Sequence, residues 1–160
     1  MSFAEGTTVP VERSRAEIEA TVTRYGATRF ASGWDGDKAA INFVARGRLV
    51  RFVLPLPTRE TVLAALKKTD RYRWRTPAEG VITDALAKEL RRRWRCLLLA
   101  IKSKLEIVET GIETFEQAFL ANIVTAGNLT IYERITLADS PVKMLAAAEE
   151  VKMLAAAEDS

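Results

Sequence analysis

The chain reads as an α+β domain on three observations. Its hydrophobic period switches from helical to alternating after Thr28 and back to helical after Pro57. Two tight-turn pairs, Asp35-Gly36 and Arg46-Gly47, divide the alternating stretch into strands. A long amphipathic run then extends from Thr76 to Gly111. Together they predict an α-β-β-β-α core: an N-terminal helix, a three-stranded antiparallel meander, a long helix and shorter C-terminal helices. The predicted organisation is a flexible leader over 1–9, a single domain over 10–138 and a helix-prone, repeat-bearing tail over 139–160.

Pro10 introduces the first helix, in which Val11, Ile18, Val22 and Tyr25 recur at helical spacing. Ser14 and Glu17 match a capping box, and the helix should end near Gly26. Phe30, Ser32 and Trp34 share one side of the first strand. Ala39, Ile41, Phe43 and Ala45 share one side of the second, and Leu49 to Leu54 form the third before Pro55 and Pro57, which cannot donate to a ladder. Thr58 caps a short helix with Val62, Leu63 and Leu66 on its apolar side, and Lys67 and Lys68 suit its C-terminal dipole. Thr76, Pro77 and Glu79 combine an N-cap, proline at the first helical position and an acid at the third, with Gly80 a weak point soon after.

At about 100° per residue, Leu86, Leu90, Trp94, Leu97, Leu98, Ile101, Leu105 and Val108 fall in an arc of about 120° on the long helix. Lys88, Arg91, Arg95 and Lys102 fall within about 60° on the other side. Arg93 and Lys104 lie at the edge of the apolar arc, where they should pair or snorkel, and Trp94 belongs to the core. Thr114 and Gln117 open a further helix whose Phe115, Phe119, Leu120 and Ile123 should pack inward. Gly127-Asn128 breaks it, and a last helix is expected around Ile131 and Ile135. The tail repeats VKMLAAAE at 142 and 151, a nine-residue offset that places the two Met-Leu pairs on opposite sides of a continuous helix and so forms no heptad seam.

Charge is unevenly spread. The segment 67–104 holds 12 bases and four acids, whereas 1–66 holds nine and seven, 105–138 one and five, and 139–160 two and five. The segment is therefore +8 in a chain of only +3, a pattern that points to a polyanionic partner. The 160 residues contain no histidine, which removes the commonest general base and metal ligand together. Asp35 and Asp37, the only closely spaced aspartates, flank Gly36, where turn formation accounts for them. No glycine-rich phosphate loop or nucleophile motif occurs, so the expectation is a protein without enzymatic activity or cofactor. The single Cys96, among Trp94, Leu97 and Leu98, is expected to be buried and inert. The absence of a signal sequence or spanning segment predicts a cytoplasmic protein that does not enter membranes.

The expected nucleic-acid contacts are Lys67, Lys68, Arg71, Arg73, Arg75, Lys88, Arg91, Arg92, Arg95 and Lys102, with Tyr72 and Trp74 as surfaces on which unpaired bases stack. Lys88 to Lys102 spans about 21 Å of helix, enough to meet several phosphates of one strand. Solvation of an amphipathic helix explains such a stripe by itself, but not the five bases in the preceding loop, which only Asp70 offsets. Arg51 adds a basic position on the sheet, and an open face there would line a groove with the helix. Two other readings stand beside this one. In one, the basic surface steers the chain to an acidic host or phage protein; in the other, Asp35, Asp37 and Glu60 form a metal-dependent nuclease. Open strand edges and a long amphipathic helix allow self-association.

Three stretches carry a resemblance: VPVERSRAEIEATVTRYGATRFASGW at 9–34, RLVRFVLPLP at 48–57 and RRRWRCLLLAIKSKLEIVETGIETFEQAFLANIV at 91–124. They resemble a widespread family of small bacteriophage and prophage proteins of uncharacterised function, over most of residues 9–135. The resemblance implies phage origin and action in the bacterial cytoplasm, without implying a reaction. The tail after Ser140 departs from the family pattern. At the level of topology alone, the α-β-β-β-α order also resembles double-stranded-RNA-binding domains, and its β-β-β-α core resembles phage single-strand-annealing proteins. The first comparison lacks a basic start to the long helix, since 76–84 holds no Lys or Arg. The expected function is single-stranded DNA binding or annealing in replication or recombination.

Overall fold

The computed structural model describes residue 4 and residues 6–137; the predicted tail and the rest of the leader lie outside the described residues. Helix α1 (Val11–Arg24) leads into strands β1 (Arg29–Asp35), β2 (Lys38–Ala45) and β3 (Arg48–Pro55), followed by helices α2 (Arg59–Lys67), α3 (Glu79–Glu109), α4 (Phe115–Phe119) and α5 (Ile131–Thr136). The sheet is an antiparallel meander in the order β1-β2-β3. This is the predicted α+β arrangement.

Strand alternation determines which face of the sheet is covered. Phe30 stands opposite Phe43 and Phe43 opposite Val50, while Ser32, Ile41 and Phe52 form the next row. The inward residues of β2 and β3 are buried, as their period of two requires. At the β2–β3 turn, Arg46 and Gly47 have φ of 50° and 73°, the paired left-handed geometry that matches the twist of a two-residue hairpin.

Helices α1 and α3 lie on that face. The buried stripe of α3 is Ile82, Trp94, Leu97, Leu98, Ile101, Leu105 and Val108, close to the predicted arc, although Leu86 and Leu90 are half-buried and Ile82 was not anticipated. Cys96 is exposed, contrary to expectation. It follows Trp94 by two residues, about 200° round the helix, so the packing that buries Trp94 turns the thiol outward.

Two predicted helix starts shift. Ser14 lies inside α1, buried and with its Oγ unpartnered, because its backbone N–H already donates to the Pro10 carbonyl at 3.2 Å and the helix begins a turn earlier. The N-cap of α3 is Ala78, not Thr76: the Val81 and Ile82 amides donate to the Ala78 carbonyl at 3.0 and 3.2 Å. Glu79, expected to reach back to its own cap, instead accepts from both guanidinium nitrogens of Arg59 at 2.6 and 2.5 Å. This pair ties the first turns of α2 and α3 together.

Thr58 caps α2 as expected, with Thr61 completing a capping box, the box at Thr114 forms, and Thr130 with Glu133 makes a third that starts α5. A 3₁₀ turn over Leu120–Asn122 follows α4; it leaves Leu120 exposed instead of inward and brings Ile123 to a bridge with Val50 at the outer edge of β3. The fully buried Phe119 meets Phe43 and Phe52 edge-on, with ring centroids 6.0 and 6.2 Å apart. Phe119→Ala empties the junction of sheet, α3 and α4, so urea unfolding should show a loss of about 3–5 kcal/mol, against under about 1.5 kcal/mol for Phe119→Leu if that side chain repacks the site.

Candidate nucleic-acid interface

Between α2 and α3 the chain turns tightly. The Thr69 amide donates to the Leu66 carbonyl at 3.0 Å and the Tyr72 amide to the Thr69 carbonyl at 3.2 Å. Arg75 Nε then reaches back to the Arg71 carbonyl at 3.2 Å. These bonds place Tyr72 between two cations, with the guanidinium carbons of Arg71 and Arg75 at 5.4 and 5.5 Å from its ring centroid. Tyr72 is only 9% exposed, so the ring expected to stack on bases belongs to the loop's own packing. Trp74 has the opposite fate at 91% exposure. It borders a hollow of about 280 Å³ with Lys67, Arg73, Arg75 and Thr76.

The expected cations fall into three groups. Lys67, Lys68 and Lys88 are exposed and make no side-chain hydrogen bond or ion pair among the described residues. Arg73 meets Asp70 at 3.0 Å, but both side chains are so exposed that the pair is weak. Arg71 and Arg75 likewise stay exposed, packed on Tyr72, and the rest, all on α3, are drawn into the fold. Arg92 and Arg93 both bind Glu89, at 3.1 and 3.0 Å, and Arg93 also donates to the Pro55 carbonyl at 2.6 Å. The Nε of Arg91 is buried without a hydrogen-bond partner.

Arg95 and Lys102 face α1, where Glu17 accepts from Arg95 at 3.0 Å and lies 3.8 Å from Lys102. Burial alone pushes the Glu17 carboxyl up, but the hydrogen bond and charge of Arg95, with Lys102 and Arg13, outweigh it and hold the pKa below the ordinary carboxylate range. Glu89 behaves in the same way: burial raises it, and Arg93 and Arg92 bring it down. The stripe on α3 is thus partly a seam between α1 and α3. Sequence reasoning missed Glu17 as its counter-charge because that carboxylate lies 78 positions from Arg95.

Arg51 does not join this surface. It alternates with the buried Val50 and Phe52, so it points to the sheet face away from α3, where it binds Asn42 Oδ1 at 3.0 Å and the carbonyl and side chain of Asn128 at 3.0 and 2.6 Å. Lys104 donates to the Ala118 carbonyl at 2.5 Å, and with Arg93 it takes the pairing role expected of it. Asp35 and Asp37 flank the β1–β2 turn, and the described residues contain no group of three His, Cys, Asp or Glu side chains placed to hold a metal ion. No described helix is long and apolar enough to cross a membrane.

Comparison of the chain with protein-family models, with curated proteins and with solved structures gives no match.

Because its folded pKa is lowered, Glu17 adds stability that is complete above the ordinary carboxylate value of 4.5 and is lost as pH falls through its lower folded value. Glu17→Gln should therefore flatten the stability profile between about pH 5 and 3 and cost no more than about 1 kcal/mol at pH 7. Urea titrations at several pH values check this.

Proposed function

We propose that this protein is a non-enzymatic nucleic-acid-binding protein that favours single-stranded DNA and acts in phage replication or recombination in the bacterial cytoplasm. The observation that carries the reading is Trp74, 91% exposed beside Lys67, Arg73 and Arg75 around the 280 Å³ hollow. An indole left in water contributes nothing to the core, yet its face accepts any unpaired base, and flanking cations meet the phosphates on either side. Lys68 and Lys88 extend the positive surface. Duplex DNA keeps its bases stacked on one another, so an isolated exposed ring favours a single strand. The contact set is smaller than the sequence pattern implied: Trp74 for stacking, and Lys67, Lys68, Arg73, Arg75 and Lys88 for phosphates.

Fluorescence anisotropy with labelled oligonucleotides tests this. With about five phosphate contacts on a single strand, log K should fall against log salt with a slope of about −3.5. Trp74→Ala should weaken binding by about 1–3 kcal/mol with little change in that slope, and Lys88→Ala should reduce the slope by about 0.7. Absence of binding to single- and double-stranded DNA and RNA at low salt would sink the proposal.

A second reading, an adaptor for a host or phage protein, draws on the uncovered sheet face. There Val53 is 46% exposed over a hollow of about 500 Å³ with Ala31, Gly33 and Ala40, and Trp34, 75% exposed in the inward row of the edge strand, borders the same hollow. One stoichiometric protein retained after nuclease treatment, and lost with Val53→Glu, would favour it.

A further inference from the structure

Among the described residues, the outer edge of β1 is the open edge of the sheet. The edge at β3 is occupied: the Leu49 carbonyl accepts from the Val124 amide at 2.8 Å and the Arg51 carbonyl from Asn122 Nδ2 at 3.2 Å. Odd positions of β3 thus face away from β2, and even ones face it, as the Leu56 amide does in donating to the Asp37 carbonyl at 2.7 Å. Carried through the register, this alternation makes Arg29, Ala31, Gly33 and Asp35 bond to β2 and turns the N–H and C=O groups of Phe30, Ser32 and Trp34 outward. No described backbone group meets them.

Exposed edges are commonly blunted by proline, lysine, an inward charge or a bulge. β1 has none of these: its seven residues pair with β2 without interruption, and the small Ala31, Ser32 and Gly33 at its centre leave room for a second strand. Its sequence is also complementary to itself in reverse. Turned about Ser32, RFASGWD sets Arg29 against Asp35, Phe30 against Trp34 and Ser32 against itself. We infer that the β1 edge binds β1 of a second copy of this chain, antiparallel about a two-fold axis at Ser32, and so joins two three-stranded sheets into one.

Hydrogen bonding and charge select this register. Phe30, Ser32 and Trp34 turn outward at the edge, and the same residues stand opposite one another in the paired strands, giving about six inter-strand bonds. A slip of one residue sets inward side chains against outward ones, and a slip of two parts Arg29 from Asp35. Trp34, 75% exposed although it lies in the inward row, gains a cross-strand aromatic neighbour in Phe30, which packs against the core. Asp35 gains a second cation beside Lys38, its partner across the β1–β2 turn. Arg15 of α1 donates to Ser32 Oγ at 2.7 Å and so approaches its copy near the axis. Glu12 and Glu19 lie within about 60° of it on the side of α1 turned away from Glu17 and α3, so each cation arrives with two carboxylates. The contact is isologous and closes at two chains. It does not rest on the proposed function.

Sedimentation equilibrium of the nuclease-treated full chain tests the pairing. The 17.8 kDa chain should reach twice that mass as its concentration rises through the micromolar range. Arg29→Asp should weaken dimerisation several-fold by bringing like charges together, and combining it with Asp35→Arg should restore the dimer. The register is read separately with cysteines, after Cys96→Ser removes the exposed native thiol. Under copper-catalysed air oxidation Ser32→Cys should give a disulfide-linked dimer, since the Cα atoms of a hydrogen-bonded antiparallel pair lie about 5.5 Å apart. Val53→Cys, exposed on β3, should not. A monomer at every concentration, a dimer indifferent to Arg29→Asp, or Val53→Cys linking as readily as Ser32→Cys would each overturn the inference. If the double reversal disturbs the turn beside Lys38, the cysteine result decides alone.

Discussion

The apolar stripe of α3 seated on the inner face of the sheet is the contact on which the rest of the molecule depends. Leu98 and Ile101 are wholly buried there, between Phe43 and Ile41 of β2 and Ile18 and Val22 of α1. Burying side chains of that size contributes about 1.5–3 kcal/mol each, far more than any exposed ion pair on this surface. A 31-residue helix held along most of its length cannot rotate to suit its charges. Its cations must therefore take whatever surroundings the apolar packing leaves them.

Those surroundings differ along the helix. Toward its C-terminal half, α1 lies close enough for Glu17 to take up Arg95 and Lys102, which makes the charged side of α3 part of an interface. Nearer its start, Lys88 faces the groove beside α2 and makes no ion pair among the described residues. The exposed lysines are thereby concentrated at one end, next to the loop that follows α2. The same docking sends Arg51 to the far side of the sheet, so the sheet and the long helix offer separate surfaces rather than one channel.

The elements most legible in the sequence were those with local causes. The alternation of β2 and β3, the two glycine-containing turns, the cap at Thr58 and the capping box at Thr114 depend on residues within a few positions of each other. The failures had non-local causes or two local rules in competition. Ser14 satisfied a capping pattern, but Pro10 began the helix first. Glu79 had the right offset from Thr76, yet Arg59 on another helix gave its carboxylate two guanidinium hydrogen bonds. Tyr72 and Trp74 are alike as sequence symbols two positions apart; the back-bond from Arg75 to Arg71 encloses one and leaves the other in water.

By itself, then, the sequence determined the α+β class, the order of the elements, the inward face of each strand, the absence of histidine chemistry and the concentration of positive charge over 67–104. These follow from periodicity, turn chemistry and composition, which act over short distances or need no geometry. Only the tertiary structure decided which charges remain available. An ion pair forms when two side chains meet in space, and the meeting of Glu17 with Arg95 or of Arg59 with Glu79 is set by helix docking, not by spacing along the chain. The basic segment was visible as a sum; its division into structural cations, an exposed tryptophan and a groove lined by an exposed lysine is a property of the fold.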